Sequence, residues 1–359
     1  MDLPTATGPG TATAAPALPP VADPAGPAQT SGRSTVRRLL TRPEIGGAVS
    51  ALALFVFFSI FAGDNGFLTQ GGTANWVNAA AELGIVAVPI GLLMIAGEFD
   101  LSVGAMVGVG SMSVGITTGG YGEPAWLGVI VGFAIAVAVG VANGFMVVRT
   151  GLPSFIVTLA TMMMLLGGAL AVSIWATGSS NVSASSSGLT HALFASKWMN
   201  DQLGVALVWW VLLLVVSAWM MSRTRFGNWT YATGGNVVAA RLVGVPTDRV
   251  KISLFVATSV CAVLTGTVQT LTLGNGNVTL GSAFIFQAVA AAVIGGVLLT
   301  GGYGSPMGTA CGAATYGIIS TGVLLLGWNA DLTQLFIGAL LLVAVLANHR
   351  LRALALSGS

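Results

Sequence analysis

Charged side chains are scarce in this chain: they make up 7% of its 359 residues, whereas 55% of the residues are hydrophobic. Soluble proteins carry about 25% charged residues, because water must solvate their surface. So few charges exclude a soluble globular protein. The mean hydropathy of +0.89 instead indicates a chain with many membrane-spanning segments.

Cysteine and histidine are also rare, which excludes several kinds of site. Cys261 and Cys311 lie in apolar segments without a CxxC or His/Cys spacing, so neither a disulfide framework nor a zinc site is supported. No GxSG or HExxH motif is present, and His191 and His349 lie outside the apolar runs. We therefore predict that the chain is not an enzyme.

A nucleotide-binding loop is missing as well. The glycine-rich segment TGGYGSPMG lacks the lysine of the GxxxxGK[ST] loop, and no other segment supplies one. If ATP drives this protein, another chain hydrolyses it. We predict no cofactor in this chain.

The composition divides the chain into three regions. Residues 1–43 are rich in Ala, Pro, Thr and Gly, with almost no large apolar residue before Leu39, which predicts a disordered N-terminal tail. The first basic residue is Arg33, so a signal peptide is disfavoured. Residues 44–348 form the predicted transmembrane domain, and 349–359 form a short cytoplasmic C-terminal tail.

Apolar runs predict an all-α, polytopic membrane protein of about ten transmembrane helices with broken or re-entrant segments. The ten runs are 45–62, 82–97, 102–118, 124–148, 155–175, 203–222, 252–273, 284–299, 307–326 and 332–347. Several are short or interrupted by glycine, so the count ranges from nine to eleven. Segment 66–78 is too polar to span and is predicted to be interfacial, and 176–201 is predicted to be a surface loop with a mobile tip.

The basic residues orient these spans. With the N-terminus inside, ten spans leave only Lys197 outside and place the other twelve of the thirteen basic residues in inner segments. We therefore predict a multi-pass protein of a plasma membrane with both termini on the cytoplasmic side.

Two carboxylates interrupt the apolar runs in the segment AGEFDLSVGA, residues 96–105. An ionised side chain at the centre of a bilayer costs about 2.5–3.5 kcal/mol on insertion scales, so Glu98 and Asp100 must lie at a helix end, in the protein interior or along a wet path. Asp100 is placed to cap the next helix, or to line a broken helix in a pathway, and the two roles are compatible. Glu98 has no capping role and is the better candidate to contact a solute or a partner helix. We predict a conduit for a polar solute.

Other polar side chains in the spans are candidates for the same pathway. They are Ser102, Asn143, Gln269 and Gln287. Each could hydrogen-bond a hydroxylated solute or a neighbouring helix.

The inner loop 223–251 carries a predicted short helix. Gly234 and Gly235 predict a turn, Asn236 a cap, 237–242 one or two helical turns, and Gly244 their end. The segment is either an ordinary basic loop at the membrane surface or a helix that docks on a cytoplasmic partner. Farther along, the glycines of 288–312 predict close helix packing, with Gly304, Gly308 and Gly312 on one face.

Three segments resemble a known family. LLMIAGEFDLSVGA is similar to the GGIDLSVGS-type signature of the ribose-type sugar permeases of bacterial ABC importers, and YATGGNVVAARLVGV resembles their A-x-GGN-x-x-AARLSGI segment. AVIGGVLLTGGYGSPMGTACGA resembles their VLGGTSLAGGxGxxxGTxxGA stretch. The likeness covers about residues 45–348 in matching order.

The resemblance implies an inner-membrane permease subunit that imports a monosaccharide or related polyol. Its implied partners are a cytoplasmic ATPase that binds the ATP, a periplasmic or lipid-anchored sugar-binding protein, and a second permease copy; no nucleic acid is implied. The ATPase coupling region would comprise Gly234, Gly235, Asn236, Ala239, Ala240, Arg241 and Gly244.

The chain departs from the family pattern at three places: Glu98-Phe99 replace Gly-Ile, Gln287 stands where an acidic residue is common, and Leu166 where Arg is common. These departures concern the pathway, so the solute stays open among ribose, xylose, galactose, inositol, nucleosides and related polyols. The alternative is an ion-coupled secondary transporter of a small polar solute, in which the acidic pair would serve the ion.

Overall fold

A computed structural model of the chain describes residues 43–357, with side chains described from 44 to 346. Apart from Pro43, the predicted tail 1–43 lies outside the described residues. The last helix continues to Ser357, into the predicted C-terminal tail. The three domain boundaries stay predictions.

Helices account for most of the described chain. They are α1 (Pro43–Phe61), α2 (Gln70–Ile95), α3 (Val103–Gly115), α4 (Ala125–Thr150), α5 (Ser154–Thr177), α6 (Gly188–Phe194), α7 (Ala206–Arg223), α8 (Arg225–Gly235), α9 (Val237–Leu242), α10 (Thr247–Leu273), α11 (Phe284–Ile294), α12 (Pro306–Leu325) and α13 (Leu332–Ser357). Short strands are β1 (Asn181–Ser183), β2 (Lys197–Trp198), β3 (Leu203–Gly204) and β4 (Asn275–Asn277).

Seven helices are long and apolar enough to cross a membrane: α1, α2, α4, α5, α7, α10 and α12. The shorter α3, α11 and the start of α13 correspond to the remaining three predicted spans. The prediction of an all-α, polytopic membrane protein is thus confirmed. Helices α2, α10 and α12 are mostly buried, whereas α1, α4, α5 and α7 expose apolar faces around them.

The start of α2 differs from the prediction. The segment 66–78 is not a separate interfacial piece, because α2 begins at Gln70 and runs for 26 residues, about 39 Å, to Ile95. Its polar residues Asn78 and Glu82 face other parts of the protein rather than lipid. Within 66–78, the polarity of Asn78 therefore reflects contacts inside the protein, whereas Gln70 and Asn75 are exposed.

The chain before α11 is not helical although it packs inside the bundle. After β4, segment 278–283 packs along α3, where a Cβ at Gly108 would lie 2.1 Å from the Val278 oxygen and one at Gly104 2.6 Å from the Gly281 oxygen. Only then does the eleven-residue helix α11 begin. Irregular backbone is tolerated at membrane depth where protein covers it, and this confirms the prediction of broken segments.

Glycines also bring α11 and α12 together. A Cβ at Gly308 would lie 2.0 Å from the Gly295 oxygen, and one at Gly312 1.9 Å from the Ala291 oxygen. The predicted close packing is confirmed for these two glycines. Gly304 does not share their helix face, because it precedes α12 and has a φ of 147°.

The predicted surface loop 176–201 contains regular structure. Strand β1 pairs antiparallel with β4, so that Asn181 faces Asn277 across 96 residues of sequence. Helix α6 follows, and β2 pairs with β3. The segment does lie largely at the surface, as predicted, but the sequence did not indicate its short strands and helix, because two- and three-residue strands leave no periodic signal. The mobility of its tip stays a prediction.

Basic side chains gather at one end of the helix bundle, which we call the basic end. There the end of α4, the start of α5, the end of α7, all of α8 and α9, and the start of α10 come together. The basic residues there are Arg149, Arg223, Arg225, Arg241, Arg249 and Lys251. Among the described residues, Lys197 lies at the opposite end, with β1 to β4.

Candidate functional site

The break between α2 and α3 is fixed by α5. Gly97 turns the chain with a φ of 86°, which favours glycine. The Phe99 N–H then donates to Ser154 Oγ at 3.0 Å, and the Leu101 N–H donates to Thr158 Oγ1 at 3.1 Å. Two side chains of one helix face thereby satisfy the backbone of an irregular segment.

Asp100 lies at the centre of this break and is 1% exposed. Its Oδ1 accepts from the Ser102 N–H at 2.9 Å and from the Ser102 hydroxyl at 2.5 Å, and its Oδ2 accepts from the Thr258 hydroxyl of α10 at 2.6 Å. The N-cap position of α3 is Ser102, without a side-chain cap bond. The capping prediction is thus wrong in detail: Asp100 satisfies the turn before α3 and joins that turn to α10.

The hydrogen-bond network continues into α4 and α5. Asn143 Nδ2 donates to Ser102 Oγ at 3.1 Å, and the Thr161 hydroxyl donates to Asn143 Oδ1 at 2.7 Å. The structure therefore brings together three predicted pathway residues, Asp100, Ser102 and Asn143. All three are buried and satisfy one another, and their role in a pathway stays a prediction.

Glu98 contacts a partner helix. Lys251 Nζ donates to Glu98 Oε1 at 2.5 Å, and the two side chains are 15% and 11% exposed, respectively. This ion pair ties the break between α2 and α3 to the first turns of α10. The pair lies at the basic end of the bundle.

The remaining two pathway candidates lie elsewhere. Gln269 Nε2 donates to Glu82 Oε2 at 2.6 Å, and Gln287 lies on α11 close to Tyr316 of α12. Eighteen residues of α10, about 27 Å, separate Lys251 from Gln269. The predicted pathway residues therefore form at least two separate clusters.

Sequence reasoning missed several partners in these clusters. The predicted span began at Glu82, whereas in the structure Glu82 is the thirteenth residue of α2 and lies in the middle of that helix. Thr258, Ser154 and Lys251 contact residues 55 to 158 positions away, and nothing in the local sequence indicates such contacts.

The Glu98–Lys251 pair predicts a thermodynamic coupling. Glu98→Gln or Lys251→Met should each lower the melting temperature of the detergent-solubilised protein, because each leaves one largely buried charge without its partner. The double variant should be more stable than the sum of the two losses implies. Additive losses would contradict a direct interaction between the two side chains.

The coupling region has the predicted short helix. Asn236 Oδ1 caps α9 by accepting from the Val238 and Ala239 N–H groups at 3.1 and 3.0 Å. Gly244 ends the segment with a φ of 83°. One detail is wrong: Gly234 and Gly235 do not form a turn, because they are the last residues of α8.

Helix α9 presents an apolar surface away from the bundle. Val238, Leu242 and Val243 are 65%, 84% and 80% exposed, while Ala240 faces the protein and is buried. Ala239 and Gly244 are also exposed. Large exposed apolar side chains on one short helix are typical of an interaction surface.

Arg241 supports the turn after α9. Its Nε donates to Thr247 Oγ1 at 2.8 Å, and its guanidinium pairs with Asp248. Both charged side chains are about half exposed. Their contacts hold the segment 243–246 in place beside the apolar surface.

Three glycine segments meet behind α8 and α9, and we call their contact the glycine junction: Gly97, Gly234–Gly235 and Gly301–Gly302. A Cβ at Gly234 would lie 1.8 Å from the Ile95 oxygen and 2.7 Å from the Gly302 nitrogen. A Cβ at Gly301 would lie 2.9 Å from the Gly97 Cα. The Gly302 N–H donates to the Ile95 oxygen at 2.8 Å.

A tyrosine next to the glycine junction adds a further bond. The Tyr231 hydroxyl of α8 donates to the Gly304 oxygen at 2.9 Å. Burial, and to a smaller extent the charge of Glu44, raises the pKa of Tyr231 above its ordinary value, so the hydroxyl keeps its proton and stays a donor. Helix α8 is thus tied to both interrupted parts of the bundle.

The chain is similar to known proteins over most of its length. Residues 72–345 match the family model described as branched-chain amino acid transport system / permease component. The fructose import permease protein FrcC of Rhizobium meliloti is 32% identical over 308 residues, covering 86% of this chain and 85% of the relative. The ribose import permease protein RbsC of Escherichia coli (strain K12) is 29% identical over 320 residues, covering 88% and 97%.

The name of a third relative gives its type of transporter but no solute. The probable ABC transporter permease protein YphD of Escherichia coli (strain K12) is 31% identical over 309 residues, covering 85% of this chain and 89% of the relative. No solved structure matches the chain.

Proposed function

Since this chain belongs to the family of transport-system permease components and is the permease subunit of an ATP-binding-cassette importer, we propose that it moves a monosaccharide or related polyol across the inner membrane of a bacterium. The fructose and ribose named in two relatives support this class of solute. ATP is bound by a separate ATPase subunit. These relatives favour the importer over an ion-coupled secondary transporter.

The observation that carries the proposal is the position of α9. This helix holds its exposed apolar face outward at the basic end, while α8 contacts both interrupted parts of the bundle through the glycine junction. We propose that the ATPase docks on Val238, Leu242 and Val243. Nucleotide binding to a partner changes the conformation of the permease only if the two conformations bind the partner differently, and α8 and α9 are placed to transmit that difference.

The positions of the basic side chains support one orientation of the chain in the membrane. Among the described residues, the basic side chains other than Lys197 lie at the basic end, which the positive-inside rule assigns to the cytoplasm. We propose that both termini are cytoplasmic and that a sugar-binding protein delivers the solute to the opposite end. A second copy of the permease, or a sister chain, would complete the pathway.

Leu242→Asp tests the ATPase docking surface. The substitution should lower the affinity for the ATPase about tenfold or more, because it places a charge at the centre of an apolar contact. The measurement is co-purification of the ATPase with the solubilised permease. As Leu242 is 84% exposed, the fold should be unaffected.

Leu189→Asp is the matched control. Leu189 is 75% exposed on α6 at the opposite end, so this variant should keep its ATPase. Normal co-purification by Leu242→Asp would remove α9 as the docking surface.

A further inference from the structure

A polar cavity of about 290 Å³ lies at the opposite end of the bundle, between α2, the segment 197–206 and α10. Its polar lining includes Asn75, Asn78, Glu82, Lys197, Asp201 and Gln202. This volume is at the lower end of the range for small-molecule sites, which runs from about 300 to 1,000 Å³.

Specific hydrogen bonds build the wall of the cavity. Asn78 Nδ2 donates to the Gln202 backbone oxygen at 2.7 Å, and the Gly204 N–H donates to Asn78 Oδ1 at 2.9 Å. Asn78 therefore fixes the segment 202–204 against α2. On the inner wall, Glu82 accepts from Gln269.

One acceptor atom of the lining residues is left without a donor. Gln202 Oε1 is buried and has no hydrogen-bond partner in the structure; Gln269 Oε1 is also unpartnered, but Gln269 stands outside the lining and reaches the site only through its bond to Glu82. A buried acceptor without a donor costs about 1–3 kcal/mol, so such atoms are normally satisfied by a ligand or by water. A hydroxyl group of a ligand in the cavity would supply the donor that Gln202 Oε1 lacks.

The other lining residues limit which kinds of ligand fit the cavity. Val205, Ala206 and Val268 add apolar surface to a lining that also carries the Glu82 side chain. A polyol has both hydroxyl donors and apolar C–H faces, and it matches both kinds of lining. The described residues contain no group of three His, Cys, Asp or Glu side chains that could hold a metal ion.

We propose that this cavity, called here the Glu82 cavity, binds a hydroxylated solute before it enters the membrane. Its hydroxyl groups would donate to Glu82 and to Gln202 Oε1, and its C–H face would lie on Val205 and Val268. The inference rests on the proposed function, from which it takes the solute class, and it gives the permease a binding site of its own, separate from the sugar-binding protein.

Protection of an introduced cysteine tests the binding. Asn75 lines the cavity and is exposed, so Asn75→Cys, combined with Cys311→Ala, should react with a membrane-impermeant maleimide. Ribose or fructose at about twice its dissociation constant should slow the reaction about threefold, because a third of the sites stay free. Leu68→Cys, 55% exposed at the same end, should react at an unchanged rate.

The same assay discriminates between ligand classes. Leucine should not protect Asn75→Cys, since its donors are confined to one ammonium group and its own carboxylate would be repelled by Glu82 and Asp201. Equal protection by leucine, or no protection by either sugar at any concentration up to its solubility, would overturn the proposal.

Glu82→Gln tests the role of the carboxylate in the Asn75→Cys background. It keeps the shape of the side chain but removes its charge, so about tenfold more sugar should be needed for the same protection. Glu123→Gln changes an exposed carboxylate at the same end and should leave protection unchanged. Unaltered protection in Glu82→Gln would contradict the proposed contact.

Failure of this inference is distinguishable from failure of the proposed function. The variants of the Glu82 cavity lie at the end away from α9, so each should co-purify with the ATPase at the level of the unmodified chain. Co-purification without sugar protection would overturn the cavity alone, whereas protection without co-purification would overturn the ATPase docking alone.

Discussion

Gly234→Ala is expected to abolish coupled uptake while leaving the protein in the membrane. A Cβ at this position would lie 1.8 Å from the backbone oxygen of Ile95, a group that cannot move aside as a flexible side chain would. Helix α8 must therefore shift away from α2, and α9 with it. Overpacking of this kind costs about 1–3 kcal/mol, which lowers the population of the coupled geometry by about 5- to 150-fold.

The neighbouring glycine provides the matched control. A Cβ at Gly235 would meet nothing within 4 Å, so Gly235→Ala should support normal uptake. Both substitutions lie in the last turn of α8, where helix propensity by itself favours alanine. The measurement is ATP-dependent sugar uptake in proteoliposomes that contain the complete transporter. Equal uptake by the two variants would contradict tight packing at the glycine junction.

Asp100→Ala is expected to cause the largest loss of stability. The substitution leaves the Ser102 N–H and the Ser102 hydroxyl without their acceptor in a buried site, and it removes the bond that joins Asp100 to the Thr258 hydroxyl of α10. Hydrogen bonds of this kind contribute about 1–3 kcal/mol each, so we expect a loss on the order of 3 kcal/mol. The melting temperature of the solubilised permease measures it.

Asp100→Asn separates a structural role from a role in the pathway. The amide oxygen still accepts from Ser102, and the Thr258 hydroxyl can donate to the Phe255 oxygen, which it already contacts at 2.8 Å. The loss of stability should be much smaller than for Asp100→Ala, and uptake should persist. A stable Asp100→Asn permease without uptake would show that the charge itself serves transport.

Local signals were sufficient for some parts of the structure. The ends of α9 were predicted because Asn236 caps it and Gly244 ends it, and both act within a few residues. The apolar runs predicted the positions of the seven long apolar helices and of the shorter α3, α11 and start of α13, because burial in lipid requires length and hydropathy alone. The tight packing of Gly308 and Gly312 followed from their spacing.

Contacts between distant segments were not predictable from one sequence. The polar start of α2 read as interfacial, since nothing local indicates that Asn78 and Glu82 meet Gln202 and Gln269. Lys251 pairs with Glu98 across 153 residues, and β1 pairs with β4 across about 96. The three motifs appeared separate in sequence, and only the fold brings their glycines into contact.

Site-specific cross-linking tests the central claim, that α9 joins the ATPase to the glycine junction. A photoreactive amino acid is placed at Leu242, and at Leu189 as the control, in the reconstituted complex of permease, ATPase and binding protein. Irradiation should join the ATPase to the Leu242 position and not to the Leu189 position. Cross-links to the ATPase from Leu189, with none from Leu242, would contradict both the docking surface and the orientation.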